Sequence, residues 1–360
     1  MPTERKTPMK HIHRTSHGRG AAVAVVGAAT LLLAACSSST TSTESSAAAP
    51  SDNGAASTAT SDSTGGAAEG TSITFVAGVK GDPFYITMSC GAQEAAAAAG
   101  ATFEFQAPNS FSPTDQVPIV DGVAAARPSA LLIAPTDSAS MYAPIQRVSD
   151  EGTKIVLVDT TLDNPDIAAS SVKTDDYQGG VEAAKKLSEL VGGSGEVLLL
   201  NFQPGVSTTE ARGKGFVDTA ESVGLTVVGT EYSGTEIEKG TQIVDATLQR
   251  YPDLAGVFTT TDYGAQGTVT SLRNAGKLGQ VKVVGFDASP VMVEQLKAGD
   301  IQAIVSQQAR TIGKLGVEQA LKAVAGEPTE ASIEVPTITI TKDDLESADV
   351  AAGLQVDTCS

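Results

Sequence analysis

Nine short runs rich in β-branched and aliphatic residues recur along the chain with helix-forming segments between them. This alternation constrains the fold more than any other feature. The runs are ITFVAGV at 73–79, TFEFQA at 102–107, ALLIAP at 130–135, KIVLVD at 154–159, EVLLLN at 196–201, LTVVGT at 225–230, LAGVFT at 254–259, VKVVGF at 281–286 and IQAIVS at 301–306. Between them lie helix-forming stretches of 12–20 residues rich in Ala, Glu, Lys and Leu. Apolar strands without polar alternation predict burial on both faces, hence a parallel sheet covered by helices. Strand–helix alternation at this spacing predicts βαβ units and an α/β fold.

Helix punctuation agrees. The helix near 82–99 stops at Gly100, and the one near 177–191 follows Asp175-Asp176 and stops at Gly192-Gly193. The helix near 208–222 has Ser207 and Glu210 at capping-box spacing and stops at Gly224. The strands outnumber those of one doubly wound sheet of ordinary size, so two similar halves meeting near Thr174 and Asp175 are predicted.

In open parallel sheets, ligands bind beyond the carboxyl ends of the strands. Beyond the first run lie Gly78, Lys80, Gly81, Asp82, Pro83, Phe84 and Tyr85, and beyond the run at 154–158 lie Asp159, Thr160 and Thr161. Thr260, Thr261, Asp262 and Tyr263 follow the run at 255–259, and Asp287 follows VKVVGF. Any one of these acids or threonines is equally explained as a helix N-cap. Their recurrence at one sheet edge is not.

Composition limits the chemistry. The 360 residues carry 24 basic and 42 acidic side chains, and the histidines are His11, His13 and His17. Without its first 35 residues the chain would hold 19 bases, 41 acids and no histidine. Histidine triads, histidine–zinc sites and histidine-ligated haem are thereby excluded from the remainder. Strong acidity without a basic cluster argues against nucleic acid, whose affinity comes from neutralised phosphates.

Those first 35 residues read as a secretion leader: a polar, basic stretch, then the 15-residue apolar run AAVAVVGAATLLLAA at 21–35. The run is too short to span a bilayer. It ends Leu33-Ala34-Ala35-Cys36, which resembles a bacterial lipobox and predicts cleavage before a lipidated Cys36. An ordinary signal with an incidental cysteine is the alternative. Residues 37–70 contain 16 Ser or Thr and no apolar side chain larger than Ala, so residues 36–70 are predicted to be a disordered tether, a cell-wall or glycosylated stalk being compatible. Two acyl chains would anchor the exported protein stably to the outer face of the cell membrane.

The ordered segments Asp82-Pro83-Phe84-Tyr85 with Cys90-Gly91-Ala92-Gln93, Ala134-Pro135-Thr136-Asp137, Val156-Leu157-Val158-Asp159, Glu210-Ala211-Arg212-Gly213-Lys214-Gly215-Phe216, Val257-Phe258-Thr259-Thr260-Thr261-Asp262, Val284-Gly285-Phe286-Asp287 and Gln307 carry a family resemblance. From about Ile73 to Pro328 the chain resembles the periplasmic sugar-binding proteins of ABC importers, the ribose- and galactose-binding type. The resemblance implies two Rossmann-like lobes, each a parallel sheet flanked by helices, joined by three crossings near 173–175, 307–309 and 334–336. It implies a first lobe of 71–174 plus 308–335 and a second of 175–307 plus 336–360. It also implies ligand contacts from Asp82, Phe84, Tyr85, Asp159, Thr160, Arg212, Thr261, Asp287 and Gln307. Asp82 stands where the family often has Asn, Thr160 where an Arg is common, and Thr261 where Asn is common. These departures put ribose itself in doubt.

Carboxylates that grip vicinal hydroxyls, and rings that cover apolar C–H faces, suit a polyol. Acids outnumber the one arginine, so a small neutral sugar or polyol (or a cation) is expected rather than a sugar acid or phosphate. Phe84 and Tyr85 are alternatively core packing, and Arg212 alternatively an exposed helical arginine. Asp159 is expected to be exposed in the cleft. No cofactor or metal is expected, and the implied partners are an ABC permease and its cytoplasmic ATPase, with the protein a monomer. A ligand-presenting sensor ectodomain and an exported carboxylate hydrolase are the competing functions.

The two cysteines beyond Cys36 are Cys90 and Cys359. An oxidising compartment predicts a bridge between them that returns the C-terminal tail to the first lobe, with a buried thiol and a frayed tail as the alternative.

Overall fold

The computed structural model describes residues 70–359. The predicted signal peptide (1–35), lipidation site Cys36 and all of the tether but Gly70 lie outside the described residues. The first lobe begins with β1 (Ser72–Val76), α1 (Pro83–Ala98), β2 (Thr102–Gln106), α2 (Pro113–Ala126), β3 (Ala130–Ile133), α3 (Tyr142–Asp150), β4 (Lys154–Val158) and β5 (Ser170–Thr174). The second lobe follows with α4 (Asp176–Val191), β6 (Gly195–Asn201), α5 (Ser207–Ala220), β7 (Leu225–Tyr232), α6 (Ile237–Arg250), β8 (Gly256–Thr259), α7 (Asp262–Asn274), β9 (Lys282–Phe286), α8 (Pro290–Ala298) and β10 (Ala303–Ser306). The chain then returns to the first lobe for α9 (Ala309–Ala325) and β11 (Ser332–Val335), and ends in the second with β12 (Ile338–Ile340).

The two six-stranded sheets have orders β2-β1-β3-β4-β5-β11 and β7-β6-β8-β9-β10-β12. Strand for strand these are the same arrangement, except that β11 is parallel to β5 while β12 is antiparallel to β10. The chain passes between sheets at Asp175, at Gln307-Gln308 and at Pro336-Thr337. β5, β11 and β12 were absent from the sequence reading, and all three lie next to crossings.

Both faces of each sheet are covered. In β1, Ile73 and Phe75 pack with Met88 of α1 and Ile312 of α9, while Val76 packs with Val120 of α2 and Ile145 of α3. In the second sheet, Leu199 and Phe258 meet Leu187 of α4 and Phe216 of α5, while Leu198 and Val257 meet Val244, Val269 and Met292. Successive residues of a strand point to opposite faces, so an uninterrupted apolar run is what a two-sided core requires. Burial on both faces fails at the sheet edge: β2 is half exposed, and its Phe105 is covered on one side by Phe75, with centroids 5.3 Å apart.

The capping box expected at α5 does not form. The N-cap is Val206 without a side-chain bond, and Ser207 is already helical. Its Oγ instead accepts from the Thr161 amide across the lobes at 3.0 Å.

Candidate functional site

The carboxyl ends of the two sheets face each other across a cleft, and all nine side chains proposed from the sequence line one cavity there, with about 470 Å³ of free space.

From the first lobe, Asp82 caps α1, its Oδ1 accepting from the Phe84 amide at 2.8 Å, with Pro83 at the first helical position. That start turns Phe84 and Tyr85 inward, both nearly fully buried and packed edge to face at 5.1 Å. They serve as core and as cavity wall together. The Tyr85 hydroxyl donates to Asp159 Oδ2 at 2.8 Å. Asp159 follows β4 with φ 63°, and Thr160 Oγ1 donates to the Pro135 carbonyl at 2.8 Å. Asp159 is 4% exposed, against the expectation of an exposed cleft residue, because its carboxylate is bonded to the equally buried Tyr85 hydroxyl.

From the second lobe, Arg212 of α5 is 2% exposed, so the exposed-helix alternative fails. Its Nε donates to Asp176 Oδ1 at 2.8 Å and Nη1 to the Thr260 carbonyl at 2.9 Å, while its guanidinium carbon lies 3.9 Å from the Phe286 ring centre. Two glycines allow this. A Cβ on Gly180 would overlap the Arg212 carbonyl, and one on Gly215 would overlap that of Tyr177, so α4 and α5 approach backbone to backbone and bring Asp176 under Arg212. Thr261 is the N-cap residue of α7, without a side-chain capping bond. Asp287 follows β9 with φ 76° and accepts on Oδ1 from Gln307 Nε2 at 2.9 Å. Gln307 Oε1 accepts from Thr174 Oγ1 at 2.6 Å, which ties two of the three crossings to the site.

The lobes touch at the cleft mouth. Tyr263 Oη donates to Asp82 Oδ2 at 3.1 Å, the Ser138 amide donates to the Gly205 carbonyl at 3.3 Å, and Phe111 meets Phe202 edge to face at 5.2 Å.

Five carboxyl groups share this space with one guanidinium. Burial pushes Asp159 up to about 7, with Arg212 opposing and Asp176 and Asp287 adding to the rise. Burial also lifts Asp176, to about 6, against the pull of Arg212. Asp82 and Asp262 are both raised, first by burial and then by neighbouring carboxylates. Carboxylates that raise one another's pKa in this way also oppose a further negative charge among them.

Asp176, Asp262, Tyr263, Phe111 and Phe202 were not among the proposed contacts. In the sequence Asp176 reads as a helix cap, and Asp262 and Tyr263 as residues at the sheet edge. Phe111 and Phe202 lie beyond the carboxyl ends of β2 and β6. The bridge between Cys90 and Cys359 is present.

Two matched α/β lobes joined by three crossings, with polar and aromatic side chains converging between them, define a binding protein that holds a small solute in its cleft. The family model described as periplasmic binding protein domain matches residues 73–328, and the chain belongs to that family, in its ribose-like type 1 branch. The chain is 31% identical to a D-ribose/D-allose-binding protein of Pseudomonas aeruginosa over 258 residues, 69% of this chain and 80% of that protein. Its structure is similar to an ABC transporter solute-binding protein of Agrobacterium vitis bound with α-D-tagatopyranose, at 34% identity and TM-score 0.77, covering 79% of this chain and 99% of that one. A second similar structure is the solute-binding protein of Actinobacillus succinogenes with bound D-allose, at 26% identity and TM-score 0.71, covering 76% of this chain and 98% of that one. These relatives are sugar-binding proteins of transporters, not enzymes.

Proposed function

We propose that this protein captures a small neutral sugar or polyol between its lobes and hands it to an ABC permease driven by a cytoplasmic ATPase. It acts as a monomer held at the outer face of the cell membrane by lipid on Cys36. The first lobe comprises 71–174 plus 308–335, the second 175–307 plus 336–360, with the tail returning through Cys359. The observation that carries this reading is the single cavity into which both lobes send carboxylates and aromatic rings.

Asp82, Asp159 and Asp287 accept from vicinal hydroxyls, charge-assisted bonds roughly twice as strong as neutral ones. Arg212 donates to a ring or hydroxyl oxygen, and Gln307, Thr160 and Thr261 complete the polar contacts. Phe84 and Tyr85, with Phe111 and Phe202 at the mouth, cover the apolar faces of the ring. Ligand held by one lobe gains the contacts of the other only when the hinge closes, so its differential affinity drives closure. The relatives' sugars suggest where to look, and the substitutions at Asp82, Thr160 and Thr261 point away from ribose.

Thermal-shift screening against D-ribose, D-allose, D-tagatose, D-arabinose, D-fucose and myo-inositol tests this. A ligand at a hundred times its Kd should raise Tm by about 4 °C. No shift, together with flat calorimetric titrations across the panel, would refute it.

A further inference from the structure

The last seven residues described cross from one lobe to the other and touch the site on the way. The Ser306 hydroxyl donates to the Gly353 carbonyl at 2.6 Å, and the Gln355 amide donates to the Ala288 carbonyl at 3.0 Å, both in the second lobe. The next amide, of Val356, donates to Thr87 Oγ1 of α1 at 2.8 Å, and Cys359 is bonded to Cys90 of the same helix. Helix α1 begins with Asp82, Phe84 and Tyr85, the first lobe's wall of the cavity. The Gln355 side chain is 6% exposed and points inward, Nε2 donating to Asp287 Oδ1 at 2.9 Å.

Asp287 Oδ1 therefore takes two amide donors, Gln307 from the hinge and Gln355 from the tail. Two donors saturate that oxygen and fix the carboxylate plane, which leaves Oδ2, 4.0 Å from Arg212 Nη1, for further bonds. Three residues, and so four Cα-to-Cα steps, separate Gln355 from the bridge, a reach of at most about 14 Å. Any opening that lengthens the path from Ala288 to α1 beyond that reach pulls Gln355 off Asp287.

We propose that Gln355 is a positioning residue of the sugar site, and that the Cys90–Cys359 bridge, by tying the tail to α1, couples the orientation of Asp287 to closure of the lobes. This rests on the sugar-binding reading above. The tail is thus a fourth link between lobes, covalent at one end and hydrogen-bonded to a ligand-gripping carboxylate at the other. Reduction of the bridge loosens the site without touching a residue that lines it.

The test uses the whole exported chain, with D-ribose, D-allose and D-tagatose titrated by calorimetry. Gln355→Leu should weaken whichever of these binds by about tenfold. Gln355→Glu should bind as weakly at pH 8.5, where two carboxylates face each other, and recover at least about fivefold at pH 5.5, where a protonated Glu donates as the amide did; a tail with a merely structural role would not move that pH profile. The pair Cys90→Ala/Cys359→Ala should weaken binding severalfold, and adding Gln355→Leu to it should cost less than Gln355→Leu costs alone. A second readout needs no sugar: the carbon-13 titration of the Asp287 carboxyl, assigned by Asp287→Asn, should shift upward in Gln355→Leu. If wild type binds none of the three sugars, that panel no longer supports the sugar reading, and the titration still judges Gln355. Wild-type affinity in Gln355→Leu, additive effects with the bridge, or an unmoved Asp287 titration would each overturn the proposal.

Discussion

Asp159 and Asp287 occupy the same station in the two lobes. Each is the first residue after the strand fourth in its sheet's order, β4 and β9, and each holds a left-handed backbone, φ 63° and 76°. That turn aims both carboxylates from the strand ends toward one cavity. Left-handed backbone is costly for most side chains, though Asp and Asn tolerate it. Asp159→Asn should therefore keep the fold, with unfolding free energy in urea at pH 4 within about 1 kcal/mol of wild type, while abolishing the sugar-induced rise in Tm. Wild-type affinity in this variant would remove Asp159 from the site. Asp159→Ala is the poorer test, since it adds backbone strain of about 1–2 kcal/mol and strands the buried Tyr85 hydroxyl.

The acids give stability a pH slope of definite sign. Asp159, at about 7 when folded, and Asp176, at about 6, both ionise near 4 when unfolded. Between those values the folded chain holds protons the unfolded chain has released, so stability falls as pH rises. The contribution is complete below pH 4 and lost by about pH 7. Tm of the unliganded protein should fall steadily from pH 4.5 to 7.5, and Asp159→Asn should flatten the slope. A rising Tm across that window would contradict the burial of these groups.

Arg212 is the one cation lining the cavity among the described residues. Arg212→Met keeps much of the side-chain volume but leaves Asp176 without its charged partner. Breaking a buried pair in this way costs about 3–5 kcal/mol. Urea denaturation should show a loss of that size at pH 7.5 and a smaller one at pH 5, where Asp176 is protonated. A loss under 1 kcal/mol at both would mean that solvent reaches the pair.

The anchor is tested at Cys36. Wild-type cells fed radiolabelled palmitate should incorporate label into this chain, and Cys36→Ser should abolish incorporation and release the protein from the membrane fraction. Equal labelling of the two would show that the cysteine at the end of the apolar run is incidental.

The strands that span both faces of a core were readable from sequence, because a fully buried strand needs a run of apolar residues. β5, β11 and β12 were not. SSVKT, SIEV and ITI hold only one or two apolar residues each, and their pairing is decided by where the chain crosses between lobes rather than by their own hydrophobicity. Site residues that follow strongly apolar strands, such as Asp159 and Asp287, could be found by position. The burial of Arg212 could not, because it depends on the glycine contact between α4 and α5, and no local pattern records which two helices touch. Gln355 had no signal, since a tail's destination is a tertiary fact.

The return of the chain to the first lobe also sets an order of assembly. Ile312, Val317 and Ala320 of α9 cover one face of the first sheet, yet they are made after the whole of β6–β10. During synthesis or export from the amino end, that face is covered by α1 alone until nearly the entire polypeptide has emerged. The second lobe, whose strands β6–β10 are contiguous, can fold beforehand. In that interval the first lobe's unfinished sheet is where a chaperone would find an apolar surface to hold.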